Sequence, residues 1–103
     1  MAIVLFTVQA TITPEQEAAF NRWYNDEHCP QLLRFNGAVK ARRYRRLLGD
    51  DKFQYMAQYE FADEAAFERF QQSEDFAALK REYETHFGET SERRRDAWVQ
   101  IWP

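Results

Sequence analysis

The sequence predicts a single α+β domain in which four strands form an antiparallel sheet and two helices cover one of its faces. Two observations support this class. Runs of β-branched and aromatic residues alternate with segments whose apolar residues recur every three or four positions, in the order strand, helix, strand, strand, helix, strand. The 103 residues include only three glycines and three prolines, and no linker-like stretch divides them. We therefore expect one domain over residues 1–103.

The first strand and the first helix are predicted from an apolar run and from helix start signals. Ala2 to Gln9 is β-branched and apolar. Thr13 suits an N-cap, Pro14 suits the first helical turn, and Gln16 completes a capping box. The apolar side of the helix includes Ala19, Phe20, Trp23 and Tyr24. Pro30 should end or kink this helix, because proline lacks the amide hydrogen that a helix interior needs.

The central part of the chain predicts a β-hairpin. Ala38 to Leu48 alternates small or apolar residues with arginines, Gly49-Asp50-Asp51 forms the turn, and Phe53 to Phe61 is the returning strand. Because side chains alternate across a strand, the returning strand has one strongly apolar face. That face consists of Phe53, Tyr55, Ala57, Tyr59 and Phe61.

The last third of the chain predicts a helical region and a final strand. Asp63 is the expected N-cap of this region, and Gly88 is its expected end. The apolar positions between them are Ala66, Phe67, Phe70, Phe76, Leu79, Tyr83 and Phe87. The final strand is expected over Ala97 to Trp102, with Arg93 to Arg95 before it as a loop or as a guard of the edge strand.

The predicted order of elements is that of a ferredoxin-like split βαβ domain, with both helices on one face of the sheet. The other face is then open, and it would expose large apolar side chains such as Trp98, Trp102 or Met56. Since monomers rarely expose a large apolar patch, we expect a homodimer formed through this open face. A change of one residue in the register of a strand would exchange its two faces.

Composition disfavours several classes of function. A net charge of −3 and a pI near 5.4 argue against a general polyanion binder, so nucleic acid is not an expected partner. Cys29 is the only cysteine, which excludes a disulfide within the chain. No apolar run has the length of a membrane span or of the apolar part of a signal peptide. We expect a cytoplasmic protein without a membrane partner.

The stretch from Trp23 to Pro30, with the sequence WYNDEHCP, is the main candidate for a functional site. His28 lies there between aromatic residues and a helix-breaking proline. Imidazole is the side chain whose unperturbed pKa is nearest to neutral pH, so His28 is the predicted acid/base catalyst. The alternative interpretation is a surface or capping histidine that interacts with the negative end of its own helix.

Aromatic residues near His28 are candidates for substrate binding. Tyr24 lies one turn before His28, and Trp23 precedes it. Tyr55 and Tyr59 would point under the helices if the apolar face of their strand is the inner one. These rings could exclude water from a small cyclic or aromatic substrate. Packing within the core is the alternative role for each of them.

Arg43 is the remaining candidate for substrate binding. Strand alternation puts Arg43 and Arg45 on one side, and Lys40, Arg42 and Arg46 on the other. A guanidinium that points inward suits a carboxylate or enolate substrate. Ion pairs with the many Asp and Glu residues are the alternative explanation for these arginines.

The sequence predicts neither a metal site nor a cofactor. Asp26, Glu27 and His28 are consecutive, so their side chains fan around the helix instead of converging on a metal ion. The sequence contains no HExxH motif, no pair of cysteines and no glycine-rich phosphate loop. His28 or His86 could serve as an axial haem ligand, but neither has a distinguishing context.

The stretch from Phe20 to Arg45 resembles the helix-to-second-strand region of the dimeric α+β barrel superfamily, in particular its EthD-like members and related uncharacterised small proteins. The shared features are an aromatic pair, an acidic residue, a histidine and a proline at the helix end, a glycine before the second strand, and an Arg-Tyr-Arg segment. The resemblance implies a dimeric barrel of ferredoxin-like domains. Its members include cofactor-free monooxygenases, lactone isomerases, polyketide cyclases and haem-degrading enzymes. In muconolactone-type isomerases the histidine at the helix end is a proposed acid/base, and His28 matches that position.

We therefore expect a homodimer that acts on an aromatic or cyclic oxygenated metabolite by isomerisation, cyclisation or cofactor-free oxidation, with His28 as acid/base. Two alternatives remain open. One is a non-catalytic ligand-binding or structural homodimer, which a cavity too small for a ring would favour. The other is an RNA-binding domain that stacks bases on the aromatic residues of the third strand. The acidic balance and the missing glycines of the RNP1 pattern argue against RNA.

Overall fold

The computed structural model, which describes residues 2–103, contains a four-stranded antiparallel sheet with its helices on one face. The elements are β1 (Val4–Ala10), α1 (Glu17–Trp23), α2 (Cys29–Leu33), β2 (Ala38–Arg45), β3 (Tyr55–Phe61), α3 (Glu64–Gln71), α4 (Glu74–Phe87) and β4 (Arg93–Val99). A 3₁₀ turn (Pro14–Gln16) precedes α1, and a π-helical turn (Tyr24–His28) joins α1 to α2. The strand order is β2-β3-β1-β4. This is the α+β, ferredoxin-like fold that the sequence predicts.

The hydrophobic core lies between the inner face of the sheet and the helices. Alternate residues of β1 and β3 point inward and are buried, as the apolar pattern of β3 predicts. The main ones are Val4, Phe6, Val8, Ala57, Tyr59 and Phe61. The helices add large rings, among them Phe20, Trp23, Tyr24, Phe70, Tyr83 and Phe87. Because large rings bury the most apolar area per residue, this aromatic layer is the main source of stability.

The helix start signals are confirmed in one case and wrong in another. Asp63 caps α3 as predicted, since its carboxylate accepts a hydrogen bond from the backbone N–H of Ala66 at 2.8 Å. Thr13 occupies the N-cap position before the 3₁₀ turn, but its side chain makes no capping hydrogen bond. The backbone N–H of Gln16 donates instead to the carbonyl oxygen of Thr13 at 3.0 Å. This backbone bond closes a 3₁₀ turn, so the predicted capping box does not form.

Of the two effects predicted for Pro30, an end or a kink of the first helix, the end is wrong. The backbone stays helical through the π-turn, with φ/ψ of −67°/−51° at His28 and −63°/−46° at Cys29. In a π-turn the hydrogen bonds reach the fifth preceding residue instead of the fourth, which lets the helix accommodate a residue that cannot donate. Pro30 then lies in the first turn of α2, where proline is tolerated. His28 therefore lies inside a continuous helix and not at its end.

The strands of the hairpin are shorter than predicted, because residues 46–54 connect β2 to β3. β1 also begins later than predicted, at Val4. Gly37, which precedes β2, has a φ of 112° and accepts a hydrogen bond at its carbonyl oxygen from the N–H of Ala62 at 2.9 Å. Gly49 in the connection has a φ of 123°. Both positions require the conformational freedom of glycine.

The predicted final strand, Ala97–Trp102, is displaced, because β4 is Arg93–Val99. β4 pairs with β1 in antiparallel register, with Arg93 opposite Ala10. The three arginines therefore lie within the strand and not in a loop before it. Pairing with β1 sets this register. The last pair joins Val4 to Val99, so the apolar residues that follow β4 extend beyond the sheet.

The outer face of the sheet is open. Trp98 lies on this face opposite Leu5, and its side chain is 60% exposed. Met56 lies on the same face, opposite both Gln9 and Tyr44. The register thus confirms that Trp98 and Met56 are on the open face.

Candidate active site

His28 points into the domain and is only 6% exposed. Its imidazole stacks on the indole of Trp23, with ring centroids 4.5 Å apart and an interplanar angle of 22°. The ring of Tyr24 meets the same imidazole edge-on at 5.0 Å. The three residues belong to one continuous helix, whose π-turn places residues four and five positions apart on the same side. The interpretation of His28 as a surface or capping histidine is therefore wrong.

The surroundings of His28 keep its imidazole neutral. Burial, and then the positive charges of Arg93 and Arg43, lower the pKa of His28 from 6.5 to about 4. Its Nδ1 atom is buried, and no group among residues 2–103 forms a hydrogen bond with it. A buried polar atom without a partner costs roughly 1–3 kcal/mol. Such an atom is typical of a site where a ligand or a water molecule completes the bonding.

A small cavity lies beside His28, between the inner face of the sheet and the helices. Its polar lining consists of His28, Tyr24, Tyr59, Lys80, Arg93 and Arg95, and apolar side chains of β1, α2 and α4 complete the wall. The cavity volume is about 10 Å³. This is room for about one water molecule and not for an aromatic ring.

Tyr24 and Tyr59 are the two predicted substrate-binding residues that line this cavity. Burial raises the pKa of both phenols above the usual value, so both remain protonated. The hydroxyl of Tyr59 lies 3.7 Å from the Sγ atom of Cys29. Two phenols that keep their protons next to a neutral imidazole can donate hydrogen bonds to an oxygen atom of a ligand.

Trp23 and Tyr55 do not line the cavity. Trp23 packs its indole against the face of the His28 imidazole. The indole Nε1 is buried with no hydrogen-bond partner among residues 2–103. The hydroxyl of Tyr55 donates to the carboxylate of Glu17 and accepts from the side-chain amide of Asn21. Tyr55 therefore connects β3 to the start of α1, away from His28.

Arg43 lies on the inner side of the sheet, opposite Ala57, and its guanidinium binds the first helix. Its Nη2 donates to Oδ1 of Asn21 at 2.9 Å, and its Nη1 donates to Oδ1 of Asn25 at 3.0 Å. The guanidinium also lies over the ring of Tyr24, with Cζ 4.5 Å from the ring centroid. These contacts occupy the two terminal nitrogens, whereas Nε is buried with no hydrogen-bond partner among residues 2–103. Arg43 does not line the cavity beside His28.

Arg93 and Arg95 also line the cavity, which the sequence did not predict, because their charges indicated a loop or a guard of the edge strand. Both pair with inward-facing residues of β1 and share the inner face of the sheet. The Cζ atom of Arg93 lies 3.6 Å from the ring centroid of Tyr83, and its Nη2 lies 3.6 Å from Oε1 of Glu84. Burial, and then the charge of Arg93, lower the pKa of Arg95. Both arginines bring positive charge to the wall that faces His28.

Two further findings concern other kinds of site. Among residues 2–103, no three side chains of His, Cys, Asp or Glu are placed so that they could hold a metal ion. The same part of the chain has no helix that combines the length and the apolar character needed to cross a bilayer.

The aromatic residues of β3 lie on the inner face under the helices, where they cannot stack on bases. The interpretation of β3 as an RNA-stacking surface is therefore wrong.

The fold defines the class of protein, which is a ferredoxin-like α+β domain. Within that class, the chain belongs to the family described as a domain of unknown function (DUF4286), whose sequence profile matches residues 3–95. No curated protein shows significant sequence similarity to it.

Several solved structures share this fold at low sequence identity. A DABB family protein from Mesorhizobium loti has a TM-score of 0.72 and 16% identity, with 99% of this chain and 100% of that chain covered. SnoaB, a cofactor-independent oxygenase from Streptomyces nogalater, has a TM-score of 0.66 and 19% identity, with 100% and 97% covered. An EthD family protein from Bacillus halodurans has a TM-score of 0.67 and 18% identity, with 93% and 97% covered. Similarity at these identities establishes the fold alone.

Proposed function

We propose that this chain is a cofactor-independent enzyme that removes a proton from a small aromatic or cyclic oxygenated metabolite, with His28 as the base. The observation that carries the proposal is the enclosed imidazole of His28. Its pKa of about 4 keeps it unprotonated at neutral pH, and its Nδ1 atom has no partner among residues 2–103. A neutral imidazole can accept a proton, and the substrate anion formed beside it offsets the arginine charges that lower its basicity. The hydroxyl of a phenol or enol can complete its hydrogen bonding.

The first step is the transfer of a proton from the substrate to His28. The substrate becomes a phenolate or enolate, and the imidazole becomes an imidazolium. Tyr24 and Tyr59 keep their protons, because burial raises their pKa values, and they donate hydrogen bonds to the new anion. An isomerisation is complete when His28 returns the proton to a different atom. Cyclisation starts from the same anion, and cofactor-free oxidation starts from it with molecular oxygen as the oxidant.

The similarity to SnoaB supports this class of reaction. SnoaB is a cofactor-independent oxygenase, and its chain has the same fold over nearly its whole length, with 97% of it covered. An enzyme of this kind needs an enclosed site with an acid/base residue and protection from bulk water. The burial of His28 supports the second requirement, and its imidazole is the proposed acid/base group for the first.

Replacement of His28 tests the proposal. His28→Asn retains hydrogen-bonding ability but cannot accept a proton at neutral pH. Turnover is measured on a panel of lactones, polyketide-like phenols and quinols, and we expect a loss of roughly 10²–10⁴-fold on the accepted substrate. His86→Asn, which changes the exposed second histidine, is the control and should keep the wild-type rate. Unchanged turnover in His28→Asn removes His28 from the mechanism.

A non-catalytic homodimer is the second candidate function, and the volume of the cavity favours it. A cavity of about 10 Å³ admits a ring only if the helices move away from the sheet. A crystal structure with a substrate ring seated against His28 would support the enzyme. If the protein neither binds nor converts any compound of the panel, the non-catalytic homodimer is the remaining candidate function.

The proposal includes assembly into a homodimer through the open face of the sheet. Trp98 is 60% exposed on that face, and Tyr44 is exposed beside Met56. Contiguous apolar patches on soluble proteins commonly mark an interface. A second copy of the same face would cover these side chains and leave the helices, with the site of His28, on the outside of each domain.

A further inference from the structure

Three cationic side chains line the cavity beside His28. Lys80, Arg93 and Arg95 line its wall, whereas none of the acidic residues among residues 2–103 does. The chain as a whole has a net charge of −3, so this concentration of cations does not follow from composition. A wall of this kind favours an anionic ligand over a neutral one.

The two arginines of this wall differ in their partners. Arg93 lies on the ring of Tyr83 and forms an ion pair with Glu84, and its side chain is only 10% exposed. Arg95 has no ion pair with any carboxylate of residues 2–103. An arginine whose planar fork is unused can bind a carboxylate through two parallel hydrogen bonds.

A second pocket lies against the same two arginines. Its volume is about 170 Å³, and its lining consists of Tyr83, Glu84, Gly88, Ser91, Arg93 and Arg95. Sites for drug-sized ligands have volumes of roughly 300–1,000 Å³, so this pocket suits a smaller molecule such as a substituted single ring. Arg93 and Arg95 belong to both linings, so this outer pocket adjoins the cavity of His28.

We propose that the ligand of this site is a single-ring compound bearing a carboxylate, which Arg95 binds in the outer pocket. The inference rests on the proposed function in one respect, because the carboxylate bound by Arg95 directs the reacting end of the ring toward His28. Bound in this way, the carboxylate is the counter-ion that Arg95 lacks, and Glu84 remains the partner of Arg93. Glu84 also selects against phosphate, because its negative charge repels a doubly charged group more strongly than a singly charged one.

Titration calorimetry with a pair of matched ligands tests the proposal. Salicylate is the probe, and salicylamide has the same ring and nearly the same size without the charge. We expect the wild type to bind salicylate at least about tenfold more tightly than salicylamide, and Arg95→Gln to lose that preference. Arg95→Lys keeps the charge but not the planar fork, so it should show an intermediate preference.

Arg94→Gln is the matched control variant. Arg94 is the next residue along the same strand, but it points to the open face, where it pairs with Asp51 and Asp96. This variant should bind salicylate as the wild type does. Circular dichroism of each variant verifies that the fold is intact, so a loss of binding in Arg95→Gln reports the site itself.

Three results of the titrations would overturn the proposal, and a competition with phosphate provides a fourth. They are the absence of salicylate binding to the wild type, equal affinity for salicylate and salicylamide, and wild-type affinity for salicylate in Arg95→Gln. Inorganic phosphate is added as a competitor at the concentration of salicylate. Displacement of salicylate by phosphate would show that the site binds anions in general. That result would also reject the proposed preference for a carboxylate.

The failure of this inference differs from the failure of the proposed function. Salicylate binding that depends on Arg95, with turnover unchanged in His28→Asn, keeps the carboxylate site and rejects the base. Equal affinity for the two ligands, with turnover lost in His28→Asn, keeps the base and rejects the carboxylate site.

Discussion

The imidazole of His28 lies nearly parallel to the indole of Trp23, at a centroid distance of 4.5 Å. His86, the other histidine of the chain, lies 5.3 Å from the same indole. The two histidines differ in exposure, because His28 is buried and His86 is exposed. His86 is therefore a matched control for His28, since both contact the same aromatic ring.

Acidification should destabilise the protein through His28. Its pKa is about 4 in the folded protein and 6.5 for an ordinary histidine, so the unfolded state binds more protons between these values. The contribution is fully present above about pH 6.5 and is lost as the pH falls toward the folded pKa. A shift of this size corresponds to about 3 kcal/mol in the free energy of unfolding.

Urea denaturation between about pH 4.5 and about pH 7 measures this contribution. His28→Phe should remove that part of the pH dependence, because the other titrating groups are the same in variant and wild type. His86→Phe should retain the wild-type pH dependence. The prediction is contradicted if His28→Phe loses stability on acidification as steeply as the wild type does.

Arg43→Met should lower the free energy of unfolding by about 2 kcal/mol, because it removes the bonds to Asn21 and Asn25. Arg42→Met is the matched control, since Arg42 lies on the outer face with one exposed ion pair to Glu60. We expect Arg42→Met to change stability by less than about 0.5 kcal/mol. Chemical denaturation measures both. Arg43→Met with wild-type stability but weaker ligand binding would support the substrate-binding role predicted from the sequence.

Gly37→Ala should destabilise the fold more than Gly49→Ala does. Both residues have positive φ, but a Cβ at Gly37 would lie 2.7 Å from the Cβ of Ala66 in α3. At Gly49 the nearest atom is the flexible end of Arg46, which can move. Backbone strain alone costs about 1 kcal/mol, and the overlap with α3 adds about 1–3 kcal/mol. Equal shifts in the midpoint of thermal unfolding would show that α3 moves to accommodate the methyl group.

Trp98→Glu should convert the proposed homodimer into a monomer, because it places a charge in the apolar part of the open face. Ala78→Glu puts the same charge on the exposed side of α4 and should leave the dimer intact. Size-exclusion chromatography with light scattering measures the mass of each species. A wild type that is monomeric at all accessible concentrations would refute the interface.

The inward position of His28 and the core face of β3 could be predicted from the sequence. In β3, four alternating apolar residues leave one choice for the buried face, because the reverse register would expose Phe61 and Tyr59. In the first helix, aromatic residues at helical spacing define the side that packs on the sheet. His28 lies on that side with Trp23 and Tyr24.

The register of β4 and the π-turn could not be predicted in the same way. Arg93 and Arg95 alternate with Ala97 and Val99, as an inner strand face does, but consecutive charges suggested a loop. Tertiary pairing with β1 outweighs that preference. The π-turn depends on hydrogen bonds between backbone atoms, for which residue type is a weak guide, so Pro30 indicated an end where the helix continues.

The position of Cys29 makes the thiol a natural reporter of motion. It is the only cysteine of the chain, it is buried against Tyr59, and burial raises its pKa. Alkylating reagents attack exposed thiolates, so modification of Cys29 requires α2 to separate from the sheet. A ring that reaches His28 requires the same separation. The rate of thiol labelling in the unliganded protein therefore measures how often α2 separates from the sheet. A ring bound in the interior should change that rate.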